Sequence, residues 1–172
     1  MKILTDLTYK SECFYHCHDI MHLLKVFFND GTSSVILYRI AEFFRFIRIP
    51  FLGYVFIELN KLLYGCVIGR HAEFDEGFVL MHPVGVVINS KVKGGKYIVL
   101  ESGVVIGAAD NGLPVKVPTL GDNIFIGSGA KILGDIKIGN NVKVGANAVV
   151  IKDVPDNSTV VGIPARVVRV DK

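Results

Sequence analysis

The chain has 172 residues, the size of one domain or of a domain with a small appendage, and its 51% apolar and 20% charged composition argues against disorder. A net charge of +3 without a strong basic cluster argues against a nucleic-acid binder. Three cysteines (Cys13, Cys17, Cys66) have no framework spacing, and the N-terminus has no apolar stretch of signal-peptide length, so a cytoplasmic protein is expected.

Composition divides the chain. Of 18 glycines, 16 follow Tyr64, whereas 13 of the 17 Phe and Tyr residues lie at or before it. Residues 1–64 are therefore read as a helical head and residues 65–172 as a separate body.

In the head, His18, Met21, His22 and Lys25 follow helical spacing. Asp30-Gly31-Thr32-Ser33-Ser34 predicts a turn and an N-cap. A helix from about Ser34 to Arg48 is broken by Pro50, and another covers roughly Phe51 to Leu63. Cys13, His16, Cys17, His18 and His22 invite a metal reading, but their spacing matches no zinc motif, so no metal is expected. Charges interrupt the apolar region from Val35 to Tyr64, which excludes a membrane span. Its amphipathic face has two readings: peripheral contact with a membrane surface, or packing against the body or a sister subunit.

The body repeats every six residues. Leu120, Ile126, Ile132, Ile138, Val144 and Val150 are aliphatic, and glycine follows four of them. Ile124, Ala130, Ile136, Val142, Ala148 and Val154, four places after each, are apolar. Ile68, Phe74 and Leu80 keep the period upstream. Six residues fit neither a helical face nor long alternating strands. Each hexad is a short strand and a tight turn, three hexads make one triangular coil, and Ile68 to Val160 holds about five coils. The fold class is mainly β: a parallel β-helix with an N-terminal α-helical head. The register slips at His82-Pro83, where Leu80 to Ile88 is a step of eight, and again between Ile106 and Leu120, where a loop should leave one corner. Interruptions of a solenoid are where function usually sits.

These hexads, with Ile126-Gly-Ser-Gly-Ala-Lys-Ile-Leu-Gly134, Lys152-Asp-Val-Pro-Asp-Asn157 and Gly162-Ile-Pro-Ala-Arg-Val-Val168, resemble the hexapeptide acyltransferases, whose coil is left-handed. Leu80-Met-His-Pro-Val-Gly-Val-Val-Ile88 and Leu37-Tyr-Arg-Ile-Ala41 resemble the catalytic and preceding helical segments of the serine acetyltransferase branch. The resemblance implies a homotrimer, with a dimer of trimers through the head as a further option, and acetyl-CoA as co-substrate. It implies His82 as general base, with direct transfer and no acyl-enzyme. It places Ser128, Gly129, Ala130 and Ala146 along the pantetheine arm, and Lys152, Arg166 and Arg169 near the nucleotide phosphates. It also implies that the groove lies between subunits, with the loop around Asp110 to Val117 closing over it.

The acceptor side departs from that branch. Val67 stands where the branch has the carboxylate partner of the histidine, Met81 where it has an acid, and Lys116-Val117 where it has an Arg-His pair. Asp30 is the candidate for an aspartate the branch contributes from its head, and a backbone carbonyl is left to orient His82. Lys116 and Asp110 are the substrate-binding candidates. The expected acceptor is a sugar or polysaccharide-type hydroxyl rather than free serine. The alternatives are a true serine O-acetyltransferase and a non-catalytic β-helix scaffold. The zinc hydratase branch is discounted because the body has only His71 and His82. The chain stops at Lys172, so no complex with the next enzyme of cysteine synthesis is expected.

Overall fold

The computed structural model describes residues 2–16, 20–110 and 113–170. The head contains α1 (Lys2–Tyr15), α2 (Ile20–Phe27), α3 (Thr32–Phe46) and α4 (Pro50–Tyr64). Met21, His22 and Lys25 lie on α2, whereas Cys17 and His18 lie outside the described residues. Among the described residues, no three His, Cys, Asp or Glu gather into a metal-binding group. No described helix is long and apolar enough to cross a membrane.

Five coils follow. The first holds β1 (Val67–Ile68), β2 (Glu73–Phe74) and β3 (Val79–Leu80); the second β4 (Val87–Ile88), β5 (Lys93–Gly94) and β6 (Ile98–Leu100). The third holds β7 (Val105–Gly107), β8 (Thr119–Leu120) and β9 (Ile124–Ile126); the fourth β10 (Lys131–Leu133), β11 (Lys137–Ile138) and β12 (Lys143–Val144). The last holds β13 (Val149–Val150) and β14 (Ser158–Gly162), on which β15 (Ala165–Val170) folds back antiparallel. The strands stack into three parallel sheets, one per side: β1-β4-β7-β10-β13, then β2-β5-β8-β11, then β3-β6-β9-β12-β14.

The hexad anchors form the core. Ile68, Phe74, Leu80, Ile88, Leu100, Ile106, Ile126, Ile132 and Val144 are each at most 2% exposed. Both expected slips are seen in the register. Val67 pairs with Val87, twenty residues on, but Val87 pairs with Val105, eighteen on, so the first coil carries two extra residues at the His82 turn. Val105 pairs with Lys131, twenty-six on, which makes room for the loop between β7 and β8. A third slip was not anticipated: Val144 pairs with Val160, sixteen on, so the last coil is short around Pro155.

The first coil would expose a row of unpaired backbone groups, since no coil lies above it. The head covers that edge with polar side chains. Arg39 donates to the Phe74 carbonyl from Nη1 at 2.8 Å and to the Asp75 carbonyl from Nη2 at 2.5 Å. Asp6 Oδ1 accepts from the backbone N–H of Gly77 at 2.8 Å and of Phe78 at 2.9 Å. The Lys10 ammonium donates to the Leu80 carbonyl at 2.9 Å. Arg39 Nε in turn bonds Asp6 Oδ2 at 2.7 Å. This explains the burial on α1, where the buried residues are Asp6, Lys10 and Ser11 rather than apolar ones. No apolar periodicity could have announced that helix. Tyr38, 4% exposed, closes the top of the core against Phe74 and Phe78. Other head residues remain apolar and open: Phe28, Phe46, Phe51 and Leu62 are 73–84% exposed.

Candidate active site

The His82 turn leaves β3 and enters β4, so it sits at the corner between the third and first sheets. The same corner recurs one coil lower at Ser102-Gly103, then at Ser128-Gly129, then at Ala146-Asn147. A ladder of backbone bonds joins them: Gly103 N–H to the Val84 carbonyl at 2.9 Å, Gly129 N–H to Ser102 at 2.8 Å, and Asn147 N–H to Ser128 at 2.8 Å. The structure thus brings His82, Ser128, Gly129 and Ala146 onto one column.

That column is poor in side chains for a steric reason. Gly129 has φ +71°, and a Cβ there would stand 2.2 Å from Asn147 Oδ1. A Cβ on Gly127 would stand 2.7 Å from the Ala146 nitrogen. At Gly127 only glycine allows the next coil's backbone to approach so closely, and at Gly129 the positive φ favours glycine. The result is a track of backbone running from His82 towards the last coil, a surface that a linear, amide-containing chain can follow. Ala130 contributes differently from expectation. Its side chain is fully buried, its N–H is given to the Gly127 carbonyl and its carbonyl accepts from Val105, so it shapes the corner from inside. Lys131, which sequence reasoning did not single out, stands beside the track with Nζ on the Gly129 carbonyl at 3.1 Å.

The other candidates lie elsewhere. Lys152, in the turn after β13, and the loop bearing Asp110 and Lys116 occupy the corner between the first and second sheets. Within one chain, therefore, the breadth of the first sheet separates them from His82. Lys116 pairs with Asp135 at 3.1 Å on the exposed surface. Arg166 and Arg169 are exposed on β15, opposite Val161 and Thr159, at the far end of the coil.

His82 itself is more than half exposed, and its Nδ1 lies 2.8 Å from Asp30 Oδ2. The expectation that a backbone carbonyl orients the ring is thus corrected: the partner is a side-chain carboxylate from the turn between α2 and α3. The helix cap there also differs from expectation. Gly31 caps α3 with φ +79° and no side-chain cap bond. A Cβ on Gly31 would stand 2.2 Å from the Leu80 carbonyl oxygen. Glycine lets this turn press against the end of β3, which sets Asp30 beside His82. Met81, the neighbour of His82, lines a cleft of about 490 Å³ with Tyr9, Cys13, Val99, Phe125 and Lys143.

Comparison with known proteins agrees with this architecture. Residues 118–152 match the family described as bacterial transferase hexapeptide (six repeats). The chain is 38% identical over 138 residues to a serine acetyltransferase of Synechococcus elongatus, covering 80% of this chain and 57% of that relative. It is 33% identical over 142 residues to a serine acetyltransferase of Helicobacter pylori, covering 83% of each. The crystal structure of Neisseria gonorrhoeae serine acetyltransferase superposes with a TM-score of 0.88 at 30% identity, over 99% of this chain and 64% of that one. The chain thus spans little more than half of the Synechococcus relative, and the fold shared with the Neisseria enzyme is the left-handed β-helix with a helical head. Fold, repeat and sequence together show that the chain belongs to the serine acetyltransferase branch of the hexapeptide-repeat acyltransferases.

Proposed function

We propose that this protein is an acetyl-CoA-dependent O-acetyltransferase in which His82 is the general base. The observation that carries this reading is His82 standing at the head of a column of small residues joined by backbone hydrogen bonds. The acceptor hydroxyl attacks the thioester carbonyl, His82 takes the hydroxyl proton, and the tetrahedral intermediate expels CoA thiolate. The imidazolium then returns that proton to the leaving sulfur. Transfer is direct in this reading, since no serine or cysteine of the chain lies in a nucleophile motif. The thioester arm would follow Ser128, Gly129 and Ala146. Lys152, Arg166 and Arg169 would meet the phosphates, where fixed cations are the natural partners.

Serine is the acceptor that the relatives support, and it replaces the sugar hydroxyl as the first reading. A sugar-type hydroxyl stays as the second reading on a specific observation: Met81 is apolar at the His82 turn, and Lys116 pairs with Asp135. Thioester consumption with serine, hexoses and amino-sugars separates them. We expect turnover with serine; turnover with sugars alone would reverse the order. Absence of both turnover and CoA binding would leave the scaffold reading.

A trimer follows from the same reading. The loop with Asp110 and Lys116, together with Lys152, reaches His82 only if a neighbouring subunit supplies it. Sedimentation equilibrium is expected to give three subunits, or six if the exposed apolar residues of the head join two trimers. A monomer with full activity would refute the shared site. A cytoplasmic location belongs to this reading, and peripheral membrane contact through the exposed phenylalanines of the head is its alternative.

A further inference from the structure

We infer that the orientation of His82 is set from the helical head, by Asp30 acting on the imidazole and by Lys10 holding Asp30 and the His82 turn together. Asp30 and Lys10 are thus positioning residues. The inference rests on the reading of His82 as the general base.

A carboxylate only accepts hydrogen bonds, so the 2.8 Å contact between Asp30 Oδ2 and Nδ1 requires the proton on Nδ1. The lone pair is then left on Nε2, the nitrogen that must receive the hydroxyl proton. Asp30 is itself fixed. Its Oδ1 accepts from the Gly31 N–H at 3.1 Å, so the two carboxylate oxygens have separate tasks. Its backbone carbonyl accepts from the Lys10 ammonium. The same ammonium donates to the carbonyl of Leu80, two residues before His82. Lys10 is 2% exposed. One buried cation therefore joins the backbone that carries the carboxylate to the backbone that carries the base. Burial pulls the Lys10 amine down to about 8, which leaves it protonated at neutral pH with donors for both carbonyls.

Neither residue belongs to the β-helix, and they lie 20 residues apart in the head. A body folded without its head would keep His82 and lose what orients it.

The test combines kinetics with the tautomer of His82, read from the ¹⁵N shifts of the ring in the unliganded protein. The parent should show the Nδ1–H form. Asp30→Ala, an exposed change that leaves the fold intact, should shift it towards the Nε2–H form. We expect kcat to fall by about ten- to a hundredfold with little change in KM, less than the ~10⁴-fold cost of disabling a buried triad carboxylate. Asp30→Glu should recover part of the loss. Lys10→Met should lower kcat in the parent and cost less in the Asp30→Ala background, because part of its action runs through Asp30. An Asp30→Ala protein that keeps both the Nδ1–H form and full kcat would overturn the inference. The tautomer reading needs no turnover, so it stands or falls separately from the acetyltransferase assignment. If Lys10→Met fails to fold, the Asp30 series still decides the role of the carboxylate.

Discussion

Replacing His82 by alanine is expected to lower acetyl transfer by about 10²–10⁴-fold, the usual contribution of a positioned general base. The side chain is more than half exposed, so its removal opens no cavity. Thermal unfolding should be nearly unchanged, and so should CoA binding, because the arm follows backbone on lower coils. The measurement is initial rate by thioester consumption, with CoA affinity by calorimetry. A His82→Ala protein that transfers at the parental rate would remove His82 from the chemistry. A protein that lost CoA binding in the same proportion would make His82 a binding residue instead.

Arg39→Ala should produce the largest loss of stability. Its guanidinium is buried with Asp6, bonds Glu42 at 2.9 Å, and satisfies the Phe74 and Asp75 carbonyls at the open edge of the first coil. Truncation leaves Asp6 as a buried carboxylate without its cation and strips donors from two carbonyls. Breaking a buried pair in this way typically costs about 3–5 kcal/mol. Chemical denaturation should show the midpoint falling. The loss should exceed that of removing the exposed Lys96–Glu76 pair, whose attraction solvent screens. Equal effects from the two changes would refute the view that the head caps the solenoid through this arginine. The same substitution should also weaken catalysis, because α1, which bears Asp6, also bears Lys10.

The body was legible because its information is local and repeated. A hexad anchor is apolar whether it stands at Phe74, Ile106 or Ile138, and the coils repeat the requirement. The slip at His82 was legible for the same reason: a regular period makes two extra residues conspicuous. The head was harder to read. Helix α1 buries Asp6, Lys10 and Ser11, and their burial makes sense only against the unpaired backbone of a coil some seventy residues later. Periodicity of apolar residues carries no trace of that match. The head also proved to be more than a surface for oligomer contacts, since its polar face completes the β-helix.

The sequence alone established the class of fold, the number of coils and the register slip at His82, whereas the small residues below it were implied by the family resemblance. The fold and its coils follow from the steric demands of a tightly wound coil, which each hexad states in its own residues. Tertiary structure decided what orients the histidine. Val67 removes the carboxylate expected from the body, and Asp30 supplies one from 52 residues before His82, brought in by a glycine turn pressed on the end of β3. A hydrogen bond between residues so far apart depends on how head and coil dock, and docking is a property of the packed surface rather than of any segment of the chain.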